Sequence, residues 1–182
     1  MRALTLTLLF AGCTGDPTPP GPHSGTTPKG DVLVDNGDGT ATSPGGLTWE
    51  VAGSTGGLRW QDALAYCDGL ALAGGGWHLP TIGELRTLIR GCEGTVAGGT
   101  CGVDDGCTGL ACRDASCIAC ATTEGPTDGC YGPGELSGPC EAYWSSSETD
   151  NPDGSAWFVS MNDGHVFAYG YGNGYFARCA RP

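Results

Sequence analysis

The spacing of apolar residues changes along the chain, and these changes predict the order of the structural elements. The segment 46–52, GLTWEVA, carries apolar side chains at every second position, which is typical of a half-buried strand. From Arg59 to Ala73 the apolar residues recur at steps of three and four, which predicts an amphipathic helix. The buried stripe of this helix is expected to contain Trp60, Ala63, Leu64, Cys67, Leu70 and Ala71.

A second helix is predicted after an extended segment at 77–80. Pro80 disfavours helical geometry at Leu79, so the new helix begins beyond it. Thr81 and Glu84 have the spacing of a capping box, in which each side chain satisfies a backbone N–H at the helix start. The buried face of this helix is expected to contain Ile82, Leu85, Leu88 and Ile89.

Turn-forming residues separate the remaining β-prone runs. The dipeptides Asn-Gly and Asp-Gly at 36–39 favour positive φ, so the segment 34–42 is predicted to be a hairpin. A similar turn at 162–164 predicts a second hairpin. Two helices followed by small antiparallel strands indicate an α+β domain. The later strands are predicted at Ala142–Ser146, Ala156–Met161, Gly164–Ala168 and Phe176–Arg181.

The chain begins with the pattern of a bacterial export signal. Arg2 precedes an apolar run, and small residues precede Cys13, as in a lipoprotein cleavage box. We therefore expect residues 1–12 to be a signal peptide and Cys13 to be acylated. The apolar run is shorter than the ~20 residues of a membrane span, so the acyl chains would be the anchor. The alternative is an incidental cysteine near a truncated start.

Composition divides the remaining chain into a tether and one domain. Residues 13–30 are rich in proline and nearly free of large apolar side chains, so they can bury little surface. The domain is expected at 31–182. The chain has 8 basic and 20 acidic residues, a formal net charge of −12. A field of this sign repels nucleic acid, heparin-like polyanions and anionic lipid, so none of these is expected as the main partner.

The cysteines predict an oxidising compartment and a disulfide framework. Of eleven cysteines, an even number remains once Cys13 is set apart, as complete pairing requires. Cys67 and Cys179 stand alone, and the other eight lie between 92 and 140. This stretch has too few apolar residues to fold by burial, so we interpret it as a disulfide-stapled insertion. Its eight cysteines allow roughly a hundred pairings, and the sequence does not select one.

The sequence gives little support for catalysis or zinc. Cys117 and Cys120 have a zinc-like CxxC spacing, but their stretch contains no histidine. The three histidines are His23, His78 and His165, and none forms a recognisable Ser-His-acid arrangement. We therefore predict no catalytic residues.

Calcium is the one metal for which the sequence offers candidate ligands. Carboxylate and amide oxygens are concentrated at 148–153, and Ca²⁺ prefers six to eight oxygen ligands. The candidates are Glu148, Asp150 and Asp153. The alternative is a solvated acidic turn with no cofactor.

A set of short strings, in order, carries a family resemblance. They are VDNGDGT, GLTWE, W-x2-A-x2-YC at 60–67, GWHLPTIGEL, YWSSSE, AWFV, NDGHV and the closing RCARP. Together they resemble the C-terminal domain of bacterial collagen-like adhesins of the Lcl type, with matching pieces at 31–92 and 141–182. The resemblance implies a C-type-lectin-like fold in which a cysteine of the first helix is bonded to one on the last strand. Cys67 and Cys179 occupy those positions.

The segment 169–176, YGYGNGYF, is the predicted ligand surface. In an extended chain its large side chains would share one side and its glycines the other. Glycine is a poor strand former, which argues against a purely stabilising role, and aromatic faces with polar rims suit sugars or proteins. The alternative is a glycine-rich loop whose tyrosines pack onto the sheet. The predicted ligand-binding residues are Tyr169, Tyr171, Asn173 and Tyr175.

The five tryptophans are expected in the core, with Trp77 and His78 partly exposed.

Together these features predict a lipid-anchored, non-catalytic protein of the cell envelope, at the bacterial outer membrane and outside the cytoplasm. Its partner is expected to be a glycan or another surface protein. Two alternatives are a structural envelope lipoprotein without a ligand and an oxidase of the formylglycine-generating type.

We expect intact-mass spectrometry of the exported protein to show loss of residues 1–12, acylation of Cys13 and no free thiol. The three features are read from one spectrum, because each changes the mass by a different amount. A protein that keeps its first residues unmodified would contradict the lipoprotein assignment. A pair of free thiols would favour the oxidase instead.

Overall fold

The computed structural model describes residues 32–118, 120 and 124–182. The predicted signal peptide, Cys13 and the tether lie outside the described residues. Within them, two short α-helices accompany two antiparallel sheets, and no helix is long and apolar enough to cross a membrane. The helices are α1 (Trp60–Asp68) and α2 (Ile82–Arg86), and the strands are β1 (Val34–Asp35), β2 (Thr40–Thr42), β3 (Thr48–Glu50), β4 (Ala142–Glu148), β5 (Ser155–Ser160), β6 (Val166–Gly170) and β7 (Ala180–Arg181).

The first sheet has the strand order β1-β2-β3-β7 and confirms the predicted hairpin at 34–42. Asp35 Oδ1 accepts a hydrogen bond of 2.8 Å from the backbone N of Gly37, which closes the turn. β3 pairs with β7 in the register Trp49 to Ala180, so the end of the domain lies beside its beginning.

Glu50 departs from the predicted alternation. It belongs to the polar positions of the strand, yet it is buried, with 4% of its surface exposed. Its carboxylate accepts hydrogen bonds from the Tyr66 hydroxyl and, at 3.2 Å, from the backbone N of Cys179. These two donors offset the cost of burying the charge. Burial, and then the hydrogen bond to Glu50, raise the pKa of Tyr66 above its ordinary value.

The helices are shorter than predicted, but they begin where the sequence indicates. Of the buried stripe predicted for α1, the structure confirms Trp60, Ala63 and Cys67, whereas Ala71 lies beyond the helix and is exposed. α1 ends at Asp68, because Gly69 follows and the chain continues into a 3-10 turn at Leu72–Gly74. The capping box of α2 is confirmed: Glu84 N donates to Thr81 Oγ1 at 3.1 Å, and Thr81 N donates to Glu84 Oε2 at 2.9 Å.

The second sheet has the order β4-β5-β6, and it confirms the predicted hairpin around 162–164. Every residue of β5 is buried. Alternate residues of β5 contribute to two apolar clusters, with Trp157 and Val159 in one and Ala156 and Phe158 in the other. The strand therefore lies at the centre of the domain, with α2 packed on one side and α1 near the other.

All five tryptophans are buried, which confirms their assignment to the core. Trp77 is only 5% exposed, so the expectation of partial exposure is wrong for this residue. Its indole N–H donates to the Leu72 carbonyl at 2.8 Å, and the Arg181 guanidinium lies 4.7 Å from its ring centroid. These two contacts cover a ring that the sequence places in an exposed linking segment.

The cysteines form five disulfides among the described residues. Cys67 is bonded to Cys179, the pairing that the family resemblance implies. Cys117 and Cys120 belong to different disulfides, so they do not form the zinc-binding pair considered from their spacing. In the insertion at 92–140, three bonds are nested and one is separate. They are Cys92–Cys120, Cys101–Cys117, Cys107–Cys112 and Cys130–Cys140.

A buried arginine joins the insertion to α2. Arg86 is 2% exposed and donates hydrogen bonds to backbone carbonyls of the insertion. Burial lowers the pKa of Arg86 from its ordinary value. The acceptors are Thr95 at 2.8 Å, Val96 at 2.8 Å, Cys101 at 3.2 Å and Val103. One planar guanidinium thus satisfies four carbonyls that no regular secondary structure pairs.

We expect Arg86→Leu to lower the free energy of unfolding by at least about 3 kcal/mol, because several buried carbonyls lose their donor. Urea denaturation of the oxidised protein, followed by tryptophan fluorescence, measures this loss. Arg86→Lys should restore little, since one ammonium does not reproduce the fork of the guanidinium. The exposed Arg59 supplies the control, and equal stabilities for Arg86→Leu and Arg59→Leu would show that the buried guanidinium is dispensable.

Candidate functional site

The predicted ligand segment at 169–176 is not one extended strand. β6 ends at Gly170, and the chain then turns before Tyr175 bridges to Leu58. The turn is closed by Asn173, whose backbone N and side-chain Nδ2 both donate to the Gly170 carbonyl, at 3.1 and 2.9 Å. The expectation that the large side chains of this segment share one side is therefore wrong. The turn gives them different environments.

Two of the tyrosines pack against the domain. The Tyr171 ring stacks on Trp60, with ring centroids 4.5 Å apart and an interplanar angle of 16°. The Tyr175 ring lies 4.7 Å from Trp144 and 4.4 Å from Phe158. These two residues follow the alternative reading, in which the tyrosines pack onto the sheet.

Tyr169 is the large side chain of the segment that is exposed to solvent, with 52% of its surface accessible. In the sheet register Tyr169 lies opposite Ala156, and Ala156 lies opposite Glu148. Residues directly opposite one another in a sheet point to the same face. Tyr169 and Glu148 therefore lie on one face, at the two ends of a row across β6, β5 and β4.

Glu148 connects this row to the packed tyrosine. Its Oε2 accepts a hydrogen bond from the Tyr171 hydroxyl. Burial, and then the bond to Glu148, raise the pKa of Tyr171 to about 12. The phenol therefore keeps its proton at neutral pH and holds the carboxylate in place. We call the surface formed by Tyr169, Tyr171 and Glu148 the tyrosine face.

The insertion borders the tyrosine face. Asp150 Oδ1 accepts a hydrogen bond of 2.8 Å from the backbone N of Leu110, within the loop that Cys107 and Cys112 close. The Arg113 guanidinium lies 3.6 Å from the centroid of the Phe167 ring. Phe167 and Tyr169 are two positions apart on β6 and share a face. The insertion thus covers one ring of β6 and leaves the next exposed.

The acidic residues expected as calcium ligands do not form a cluster. Within the described part of the chain, no group of three or more His, Cys, Asp or Glu side chains is arranged to hold a metal ion. Glu148 and Asp150 instead accept hydrogen bonds from Tyr171 and Leu110, and Asp153 is exposed. The acidic turn is held by one of its own side chains, since Asp153 N donates to Asn151 Oδ1 at 3.1 Å.

A second concave surface lies between α1 and the segment 77–79. This open groove has a volume of about 560 Å³, and we call it the α1 groove. Residues of three separate segments line it, so sequence reasoning had no local signal from which to find it. Among them are Gln61, Leu64 and Asp68 of α1, His78 and Leu79 of the extended segment, and Ser146 of β4.

His78 is held on both its main chain and its side chain. Its backbone pairs with Ala180, with N–O distances of 2.9 and 3.0 Å. Its Nε2 lies 2.9 Å from Glu84 Oε2, and its side chain is 39% exposed. The partial exposure expected for His78 from the sequence is therefore confirmed, and it occurs at the α1 groove.

Comparison with known proteins supports the resemblance seen in the sequence. The family model of the Lcl C-terminal domain matches residues 41–181, a range that includes the cysteine-rich insertion. No curated protein and no solved structure matches the chain. The match covers most of the chain, and the chain therefore belongs to the Lcl C-terminal domain family.

Proposed function

We propose that this chain is a non-catalytic binding protein of the cell envelope that recognises a glycan or another surface protein through the tyrosine face. The observation that carries the proposal is the half-exposed ring of Tyr169, held on β6 in the same row of the sheet as Glu148. The ring offers apolar area and a hydroxyl group at a position that the sheet holds fixed, and such a group is well suited to contact a partner.

The chemistry of the tyrosine face suits such partners. A tyrosine ring offers apolar area and its hydroxyl offers a hydrogen bond, at a small cost in side-chain entropy. The Glu148 carboxylate adds an acceptor whose position is fixed by Tyr171. Because Tyr171 itself is stacked on Trp60, the face is largely ordered before a partner arrives, which favours affinity.

The same proposal includes the fold class and the anchor. We assign the α+β domain to the C-type-lectin-like class, since the family membership and the bond between Cys67 and Cys179 both favour it. We further propose that Cys13 carries acyl chains and holds the domain outside the cytoplasm, at the bacterial outer membrane. The supporting observation is the export pattern of residues 1–13.

The state of the cysteines supports a non-catalytic role. Every cysteine from Cys67 to Cys179 belongs to a disulfide. An oxidase of the formylglycine-generating type needs reduced thiols, so the described domain offers it no working pair.

The polar residues considered for hydrolytic chemistry are also engaged elsewhere. Ser145 is fully buried and its hydroxyl donates to the Trp157 carbonyl at 2.8 Å. His165 Nδ1 lies 3.2 Å from Asp163, in the turn between β5 and β6. These contacts stabilise the sheet and its turn, and they favour binding over catalysis.

We expect Tyr169→Ala to weaken binding on glycan arrays or to envelope proteins by about tenfold or more, since a well-placed aromatic contact contributes on the order of 1.4 kcal/mol. Tyr169→Phe should retain part of the affinity. Val34→Ala is the matched control, because Val34 is also exposed, at 64%, and lies on the other sheet.

Tyr171 and Tyr175 are poor choices for this test, since both pack against core tryptophans and their loss would also alter the fold. Equal binding by wild type and Tyr169→Ala would exclude the tyrosine face as the site. A folded protein that binds nothing on the arrays or in the envelope would favour the structural lipoprotein.

A further inference from the structure

The α1 groove is a concave surface to which the function proposed above assigns no role. Its volume of about 560 Å³ falls within the range of roughly 300 to 1,000 Å³ that is typical of ligand sites. We propose that this groove is a second binding site, and that its ligand is a neutral sugar residue of a glycan. The proposal uses none of the residues of the tyrosine face.

The walls of the groove are held in place without a ligand. Cys67, on the buried side of α1, is bonded to Cys179 of the C-terminal segment. The opposite wall is fixed by the backbone pairing of His78 with Ala180. The side chains of Trp77 and Leu79, on either side of His78, are buried in the domain. A site formed in advance spares a ligand the cost of ordering the protein.

The polar groups of the groove can both accept and donate hydrogen bonds. Glu84 Oε2 accepts from Thr81 N and lies 2.9 Å from His78 Nε2, so this ring nitrogen carries a proton. In the neutral ring the other nitrogen of His78, Nδ1, is then an acceptor. Asp68 adds a carboxylate, while the Gln61 amide and the Ser146 hydroxyl can each donate and accept. A ligand with several hydroxyl groups can satisfy both kinds of group.

The remaining lining is apolar and matches the other side of a sugar ring. Leu64 and Ala65 of α1, with Leu79 opposite, form the apolar part of the groove. A sugar ring carries hydroxyl groups around its edge and C–H groups on its faces. The groove therefore offers acceptors and apolar contact in the combination that a sugar can use.

Charge determines which sugars fit. No lysine or arginine is among the described residues that line the groove, whereas Asp68 lines it and Glu84 contacts His78. Arg181 lies over the ring of Trp77, but its guanidinium donates to the carbonyls of Ala73 and Gly75. With a net charge of −12 on the chain, sulfated, phosphorylated and uronic acid sugars are repelled. A basic peptide would find Asp68 in the lining and Glu84 beyond His78, and it would leave the amide and hydroxyl groups of Gln61 and Ser146 without a matching partner.

Saturation-transfer NMR on the oxidised, detergent-solubilised full chain tests the proposal. The probes are neutral mono- and disaccharides, their acidic counterparts and a lysine-rich peptide. We expect signals from neutral sugars alone. Ala65→Trp should fill the groove from an exposed position of α1 and weaken sugar binding at least about tenfold. Ala52→Trp, at an exposed position outside the lining residues, is the matched control and should bind normally.

Two further substitutions keep the test decisive if Ala65→Trp is poorly folded. Asp68→Asn should weaken sugar binding, whereas Asp62→Asn, on α1 but not among the lining residues, should leave it unchanged. Binding of the peptide or of acidic sugars in preference to neutral ones would overturn the proposal, and so would the lack of binding by any neutral sugar. If Tyr169→Ala abolished sugar binding and Ala65→Trp did not, the tyrosine face would be the sugar site and the groove proposal would fail alone.

Discussion

The join between α1 and the C-terminal strand is the constraint on which the rest of the domain depends. The disulfide between Cys67 and Cys179 closes a loop of 112 positions and contributes about 4 to 5 kcal/mol in a chain-entropy estimate. Glu50 joins the same two elements a second time, because it accepts from Tyr66 of α1 and from the backbone N of Cys179. Since Glu50 lies on β3, the first sheet is fastened to the same point. One covalent bond and one buried carboxylate therefore hold three distant parts of the chain together.

Both candidate surfaces are positioned by this join. Ala180, the residue after Cys179, pairs with His78 and so fixes one wall of the α1 groove, while Cys67 fixes the other. On the opposite side of Cys179, the buried Arg178 donates to the Ser137 carbonyl of the insertion at 2.5 Å and to the Glu50 carbonyl at 2.8 Å. A different part of the insertion, at Leu110 and Arg113, borders the tyrosine face. A small closed core thus supports surfaces whose residues come from separate loops.

The sequence predicted the features that local spacing controls and missed those that depend on distant partners. The capping box at Thr81 and the two hairpins each depend on residues that are close together in the sequence, and the structure confirms them. The alternation of the strand predicts that Glu50 faces solvent. This prediction fails because the partners of Glu50 lie 16 and 129 positions away, where local spacing gives no information. The nested disulfides of the insertion could not be predicted for the same reason, since cysteine spacing does not show which sulfurs come together. The role of Arg86 could not be predicted either, because the sequence does not show which carbonyls surround it.

The tyrosine repeat shows why a surface is harder to predict than a core. Its alternation with glycine suggests a strand with one aromatic side, but the glycines that permit close packing lie outside the repeat, and a methyl group at Gly172 would contact nothing. A methyl group at Gly154 would lie 2.5 Å from the Tyr171 ring, so that glycine admits the ring instead of freeing it. Gly57 similarly lies against the backbone of Gly174. Aromatic side chains pack against apolar surfaces that the backbone lets them approach. Tyr171 and Tyr175 pack in this way, against Trp60 and Trp144. Binding is therefore expected where the fold leaves a ring uncovered, at Tyr169.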